Sequence, residues 1–188
     1  MRGKNEVSSN TAIVRDATER YRTARREAGE SRGAFETEIR RLGGTPRVET
    51  AIRRDTAPSQ VAELLGIAST DQAVIRARHM YDGDRLVQLA DSYVPLDVAE
   101  AAGVENPDPG LGGIISRMRD AGFEQTEAIE EVSLYAATSV EAEAFGVEVG
   151  TNLLQITHTG YTKTGRAVEV TVHHPGPGWV LRYSPPIS

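Results

Sequence analysis

The sequence has no cysteine, and this absence excludes disulfide bonds, thiolate metal sites and cysteine nucleophiles. It also has no apolar run long enough to cross a membrane, because its hydrophobic stretches are interrupted every few residues. The charged residues 1–6 are not followed by the apolar region of a secretory signal, so we expect a cytoplasmic protein with no membrane partner. With 188 residues, of which 39% are hydrophobic and 26% charged, the chain is long enough to form a globular core.

Charge is distributed unevenly along the chain. Residues 1–54 carry 13 basic and 8 acidic side chains, whereas the remainder carries 8 basic and 19 acidic ones. The net negative charge of residues 55–188 excludes non-specific binding of nucleic acid by this part of the chain. The polar, basic composition of residues 1–30 predicts a linker or arm, and residues 31–188 then form the domain.

Hydrophobic periodicity predicts an α+β domain in which short helices flank an antiparallel sheet. Ser31 is expected to cap the first helix, and Thr138 forms a capping box with Glu141 at the start of another. The predicted helices lie at 31–42, 58–66, 114–122 and 138–146. The predicted strands lie at 47–53, 73–81, 85–94, 124–136, 152–161, 166–174 and 179–183.

The predicted hairpin over residues 73–94 holds the first candidate site. Arg76 and Arg78 share one strand face, and across the hairpin signalled by residues 82–83 that face meets Asp91 and Tyr93; one register places Arg76 directly opposite Asp91. One interpretation is a solvated cross-strand ion pair, which is common. The other is one wall of an anion-binding pocket, in which the guanidinium groups hold the ligand.

A second candidate site begins at the glycine-rich residues 110–113, which lead directly into a helix. Flexible glycines such as Gly113 before a helix N-terminus favour an anion, and Ser116 adds a hydroxyl in the first turn. The alternative is that these glycines only end a loop. Glu169 lies on a strand expected to be central, where it either accepts a hydrogen bond from a ligand or faces solvent. Tyr183 either closes the pocket or packs on the core.

Several other motifs are assigned no catalytic or metal-binding role. Residues 29–33 match G-x-S-x-G, but no strand precedes the serine, so a helix start is a better interpretation than a nucleophile elbow. His173 and His174 are adjacent on a strand, point to opposite faces and cannot bind one metal together. His79 and His158 are isolated in the sequence. We therefore expect no catalytic residue, no metal site and no cofactor.

The ordered set of motifs resembles the UTRA effector-binding domain of GntR-family, HutC-subfamily transcription regulators of actinobacterial type, over about residues 31–184. The matching pieces are FETEIRRLGGTPR, VAELLGI, VIRARHMYDGDRLVQLADSYVP, GGIISRMRDAGF, EEVSLYAATSVEAEAFGVEVGTNLLQITHTGYTKTGRAVEV and WVLRYS. The resemblance implies a fold similar to chorismate lyase, a small and usually anionic effector, a homodimer, and operator DNA bound only through a winged-helix domain. The 30 or so residues before the first predicted domain helix are too few for such a winged helix.

The resemblance also implies site residues. Arg76 and Arg78 match the family's R-x-R strand, and the start of the helix at 113–116 matches its anion contact. The remaining residues expected to set specificity are Asp91, Tyr93, Glu169 and Tyr183. Ala34 stands where many relatives carry a serine, and Ala90 where many carry an acid, which argues against the family's phosphosugar as ligand.

The leading expectation is a ligand sensor that works by population shift, in which the effector binds one dimer geometry better than another. A second hypothesis is a chorismate-lyase-like enzyme in which Arg76 and Arg78 bind substrate carboxylates, although no general acid is evident. A third is a stand-alone dimerisation module that needs no ligand.

Overall fold

The computed structural model describes residues 12–27 and 31–184, and the statements below concern these residues. They form eight strands and six helices in the following order: β1 (Ile13–Asp16), α1 (Thr23–Arg26), α2 (Ala34–Arg41), β2 (Pro46–Thr56), α3 (Ser59–Leu65), β3 (Gln72–Asp82), β4 (Arg85–Pro95), α4 (Leu96–Ala102), α5 (Ile114–Asp120), β5 (Glu127–Ala136), α6 (Ser139–Phe145), β6 (Asn152–Tyr161), β7 (Ala167–Pro175) and β8 (Trp179–Arg182).

Six strands form one sheet in the order β2-β3-β4-β7-β6-β5, and all its neighbours are antiparallel. The remaining two strands, β1 and β8, pair in parallel as a separate small sheet. Short helices flank the main sheet, which confirms the predicted α+β class. None of the described helices is long and apolar enough to cross a membrane.

Local signals account for most element boundaries. The Thr138 side chain accepts a hydrogen bond from the Glu141 amide and the Glu141 carboxylate accepts one from the Thr138 amide, which confirms the predicted capping box. The predicted Ser31 cap is wrong, because α2 begins after Gly33 and has no side-chain cap. Ser31 is buried instead and accepts a hydrogen bond from Arg40 at 2.9 Å.

The structure contains two helices that the sequence analysis did not predict, α1 within the expected linker and α4. Helix α4 begins directly after Pro95 and ends at Gly103, which adopts a left-handed conformation with φ of 62°. Val98, Ala99 and Ala102 are buried along one side of it. The small alanines gave a weak periodic signal, although their spacing and the following glycine are typical of a short helix.

The first described residues, 12–27, lie against the domain, and we call them the N-terminal segment. The linker expected over residues 1–30 thus contains β1 and α1 where the structure describes it. The remaining parts of that prediction, residues 1–11 and 28–30, lie outside the described residues, as do two positions of the G-x-S-x-G match.

The core lies on both faces of the main sheet. One face, here the outer face, packs Ile75 and Tyr93 against helix α3. The other, the inner face, carries the alternate residues of each strand and is covered by α2, α4, α5 and the N-terminal segment. Its apolar parts form two clusters, one around Val74, Val98 and Met118 and one around Ile13, Phe35, Ile39 and Trp179. Polar residues occupy the inner face between these two clusters, and this is where the site lies.

Candidate ligand-binding site

A cavity of about 360 Å³ lies between the inner face of the sheet and the segments that cover it. Its floor comes from β2, β3, β6 and β7. Its walls come from the N-terminal segment, the start of α2 and residues 107–115. The charged or ring-bearing polar residues around it are Arg20, Tyr21, Arg26, Arg32, Glu36, Arg76, Arg78, Asp108, His158, Glu169 and His173. Five arginines against three carboxylates favour an anionic occupant.

The register of β3 and β4 decides which predicted residues reach this cavity. Arg76 lies opposite Ser92, and Asp91 lies opposite Ala77, so the predicted pairing of Arg76 with Asp91 is wrong. The tight turn is formed by residues 83–84 rather than 82–83, and a bulge follows Met80. The turn by itself would keep Arg76 opposite Asp91, and it is the bulge that shifts the register by one residue to Ser92.

Asp91 and Tyr93 consequently lie on the outer face, away from Arg76 and Arg78. Tyr93 packs in the cluster under α3, and Asp91 lines a broad depression on that face. The structure therefore does not bring these two predicted specificity residues into the cavity. Tyr183 also lies outside it, since its side chain is 53% exposed beyond the end of β8.

Arg76 organises the loop that forms one wall. Its guanidinium donates hydrogen bonds to the carbonyl oxygens of Val104, Asn106 and Pro107, the latter two at 2.6 and 3.1 Å. Burial, followed by the positive charge of Arg78, lowers the Arg76 pKa to about 10. Because three carbonyls already occupy this guanidinium, Arg76 shapes the cavity by holding residues 104–107 in place.

Arg78 lies on the cavity floor. Its Nη2 donates to the Ser92 hydroxyl at 2.6 Å, and its buried Nε has no hydrogen-bond partner among the described residues. Burial lowers the Arg78 pKa, and the nearby Glu169 carboxylate opposes that effect. A half-buried guanidinium with an unused Nε donor at a cavity is suited to bind an anionic oxygen.

Glu169 lies on the same floor and is nearly inaccessible to solvent. Its carboxylate accepts hydrogen bonds from Thr171 at 2.8 Å and Gln125 at 2.9 Å. Burial alone would raise the Glu169 pKa, but His158, Gln125 and Arg78 outweigh burial and leave it below the usual value. Of the two positions that the sequence left open for Glu169, the structure shows the one beside the cavity.

Gly113 and Ser116 occupy the start of α5. Gly113 lines the cavity with a φ of +77°, and a Cβ placed there would lie 3.0 Å from the Arg32 carbonyl oxygen and 3.4 Å from Gly33 Cα. Glycine is therefore needed so that the starts of α2 and α5 can pack together. Ser116 lies behind this wall, where it donates to Glu27 at 2.8 Å and accepts from Arg26 at 2.7 Å.

The N-terminal segment supplies Arg20, Tyr21 and Arg26 to the cavity wall. Arg20 forms a buried ion pair with Glu38 of α2. Tyr21 stacks on His158 with ring centroids 4.4 Å apart, and its hydroxyl donates to Glu130. Sequence analysis missed these residues because their composition is that of a linker, and no local signal links them to partners so distant in the chain.

The histidine prediction holds in geometric terms. His173 lines the cavity, whereas His174 lies on the outer face beside Glu141 and Gln155. Burial lowers the His173 pKa well below its ordinary value. His158 and Thr171 of the neighbouring strands also line the cavity, and strand alternation around Glu169 was the signal that could have indicated Thr171. No group of metal-ligating side chains occurs within the described residues.

The fold and cavity define a ligand-binding α+β domain, and comparison with known proteins identifies its family. The UTRA domain model matches residues 42–174, and the chain therefore belongs to the UTRA domain family. This family comprises the effector-binding domains of GntR-family transcriptional regulators, as the resemblance of the motifs predicted.

The relatives are regulators rather than enzymes, so they do not support the lyase hypothesis. An HTH-type transcriptional regulator of Mycobacterium tuberculosis is 28% identical over 143 residues, which cover 72% of this chain and 50% of that protein. A Streptomyces coelicolor HTH-type regulator is 26% identical over 64% of this chain and 46% of its own length. This chain thus spans about half the length of the curated relatives it matches.

Solved structures confirm the fold. PhnF from Mycobacterium smegmatis superposes with a TM-score of 0.74 at 14% identity, covering 94% of this chain and 73% of that one. The ligand-binding domain of a GntR-family regulator from Bordetella bronchiseptica gives a TM-score of 0.64 at 21% identity, covering 77% and 90% of the two chains.

Proposed function

We propose that this domain senses a small anionic metabolite and controls DNA binding by a transcriptional regulator. The observation that carries the proposal is the cavity with Arg78 on its floor, where a half-buried guanidinium retains an unused Nε donor. The excess of arginines over carboxylates around the cavity supports an anionic ligand. Arg78 and Glu169 provide a donor and an acceptor to position it, and Gly113 allows the two helix starts to form the opposite wall.

The sensor acts by population shift. A ligand that binds one arrangement of the domain more tightly than another moves the equilibrium by its difference in affinity. DNA contact itself belongs to a separate winged-helix domain, since the body of this chain is acidic. Because the proposed function is control of transcription, we expect the protein to act in the cytoplasm.

A thermal-shift screen against phosphosugars, carboxylates, aromatic acids and neutral metabolites tests the proposal. A ligand at 100 times its Kd adds about 2.7 kcal/mol to the free energy of unfolding, which raises the melting temperature by several degrees. Absence of any stabilising compound in this wide panel counts against a sensor and favours a dimerisation module.

The Arg78→Gln variant then tests the site by calorimetric titration of the compound found. We expect at least about tenfold weaker binding, because a charged donor to the ligand is lost. Arg47→Gln is the matched control, since Arg47 is exposed and contacts Glu49 and the Tyr81 ring at the surface, away from the cavity. Equal affinity of both variants would show that Arg78 is structural.

We also infer a homodimer, and its interface includes strand β5. This strand forms one edge of the main sheet, and it exposes the apolar side chains of Ile129, Val132 and Leu134. An exposed apolar edge strand pairs readily with another chain. A second copy of the same chain is the partner that this proposal requires.

A further inference from the structure

The N-terminal segment forms part of the cavity although it precedes the residues that match the family. Its attachment to the domain is mainly polar. Two buried ion pairs hold it, Arg15 with Glu130 and Arg20 with Glu38. Its apolar anchor is Ile13, which packs in the cluster around Trp179 while β1 pairs with β8. Buried ion pairs add little net stability beyond their own desolvation cost, so the segment is held only weakly and a further polar contact would strengthen its attachment.

Arg20 approaches the cavity floor from this segment. It is only 4% exposed, it lines the cavity, and its Nε has no hydrogen-bond partner among the described residues. Arg78 lines the same cavity and also has an unpartnered, buried Nε. Burial is the largest cause of the lowered Arg78 pKa, and the positive charge of Arg20 lowers it further, which places the two cations within reach of each other's field.

Arg20 is paired with Glu38 and Arg78 lies near Glu169, yet each guanidinium retains an unused Nε donor, so an anionic oxygen group between the two would be attracted by both. We propose that Arg20 and Arg78 together bind the anionic oxygen group of the ligand, so that the bound ligand bridges the N-terminal segment to the floor of the sheet. The inference rests on the proposed function and extends it to a residue of the N-terminal segment. Carboxylate and phosphate oxygens share the chemistry that this pair recognises.

The bridge has a regulatory consequence. Bound ligand ties the N-terminal segment to the sheet through a third contact, next to the two ion pairs. Because this segment precedes the domain in the chain, its docking determines the path of whatever lies on its N-terminal side. The cavity thereby communicates with a DNA-binding domain through the segment itself.

Hydrogen exchange of the 188-residue chain with inorganic phosphate and acetate as probes tests the inference, at constant ionic strength. We expect either probe to slow amide exchange in residues 13–26 of the wild-type protein. The double variant Arg20→Gln/Glu38→Gln removes both members of the buried pair, so no uncompensated charge remains. In it we expect about tenfold weaker probe binding and no slowing of exchange in that segment.

Two further variants complete the design. Arg22→Gln is the control on the same segment, because Arg22 is exposed and pairs with the exposed Glu19, and it should behave as wild type. Arg20→Lys keeps the charge next to Glu38 but lacks the Nε donor, so it should bind the probe several-fold more weakly even if the double variant does not fold. Fluorescence of Trp179, the single tryptophan, reports whether β1 and β8 remain packed.

Different failures are distinguishable. The role of Arg20 is overturned if both Arg20 variants bind the probe with wild-type affinity. It is also overturned if the probe slows amide exchange in β3 but not in residues 13–26. Either result leaves the sensor function standing. Failure of the wild-type protein to bind either probe overturns the anion bridge. The sensor function is then decided by the wider screen, which includes neutral compounds.

Discussion

Arg15 of β1 and Glu130 of β5 form an ion pair although 115 residues separate them in the sequence. Both side chains are buried, and the Tyr21 hydroxyl donates to the same carboxylate. A buried pair of this kind is costly to break, because the remaining partner stays uncompensated. The pair therefore fixes where the N-terminal segment lies on the sheet, and hence how the cavity is closed.

The stability of the fold should fall in acid because of Glu130. Burial raises the Glu130 pKa, but His158, Arg15 and Tyr21 lower it more, to about 2. Because the folded pKa lies below the ordinary value of 4.5, the stabilisation is complete above pH 4.5 and is lost as the pH falls towards 2. The expected slope for this one group is at most about 1.4 kcal/mol per pH unit.

Urea unfolding of the wild type and of Glu130→Gln across this pH range measures that slope. The variant should be less stable at neutral pH and should depend less on pH below 4.5, where the wild type loses its advantage. Parallel profiles for the two proteins would mean that Glu130 does not contribute to acid sensitivity.

Replacing Arg76 with methionine should release the wall formed by residues 104–107. The variant loses three donors to buried or half-buried carbonyls, which should lower the free energy of unfolding by about 2 kcal/mol and speed amide exchange in this loop. Arg54→Met is the control, because Arg54 pairs with Glu100 and Glu105 at the exposed surface. Unchanged exchange in the loop of Arg76→Met would contradict the assigned role.

Gly113→Ala should be more destabilising than Gly43→Ala. Both glycines have nearly the same positive φ, +77° and +78°, so alanine costs about 1–2 kcal/mol in backbone conformation at either site. A Cβ at Gly43 meets no atom within 4 Å, whereas at Gly113 it presses on the start of α2. We expect a further loss of about 1–2 kcal/mol, measured by thermal or urea unfolding. Equal losses would show that the two helix starts can move apart freely.

Leu134→Glu should weaken the proposed dimer. Leu134 is 66% exposed on edge strand β5, so a charge there should leave the monomer fold intact and repel a second copy. Light scattering after size exclusion should show the molar mass falling towards 20.3 kDa on dilution. For the variant this fall should begin at a higher protein concentration than for wild type. Val180→Glu on β8 is the control, since Val180 is also exposed but lies outside the main sheet. Dissociation by both variants alike would move the interface away from β5.

Much of the fold was predictable because its signals are local. The capping box of Thr138 and Glu141 and the alternation that puts Arg76 and Arg78 on one face depend only on neighbouring residues. Helix α4 was not predicted because its alanines differ little in hydrophobicity from the neighbouring residues and give a weak periodic pattern. The Ser31 cap was wrong because Gly33, two residues later, provides the actual helix start.

The sequence by itself determined the α+β class, the order of most elements and the family, but not β1, α1 and α4. Only the tertiary structure decided the composition of the site. A bulge after Met80 places Ser92, rather than Asp91, beside the arginines. Arg20 lines the cavity and pairs with Glu38 on α2, whereas Arg15 holds the same segment through Glu130 on β5. Strand register and long-range ion pairs arise from packing between distant segments, and no pattern of consecutive residues encodes them.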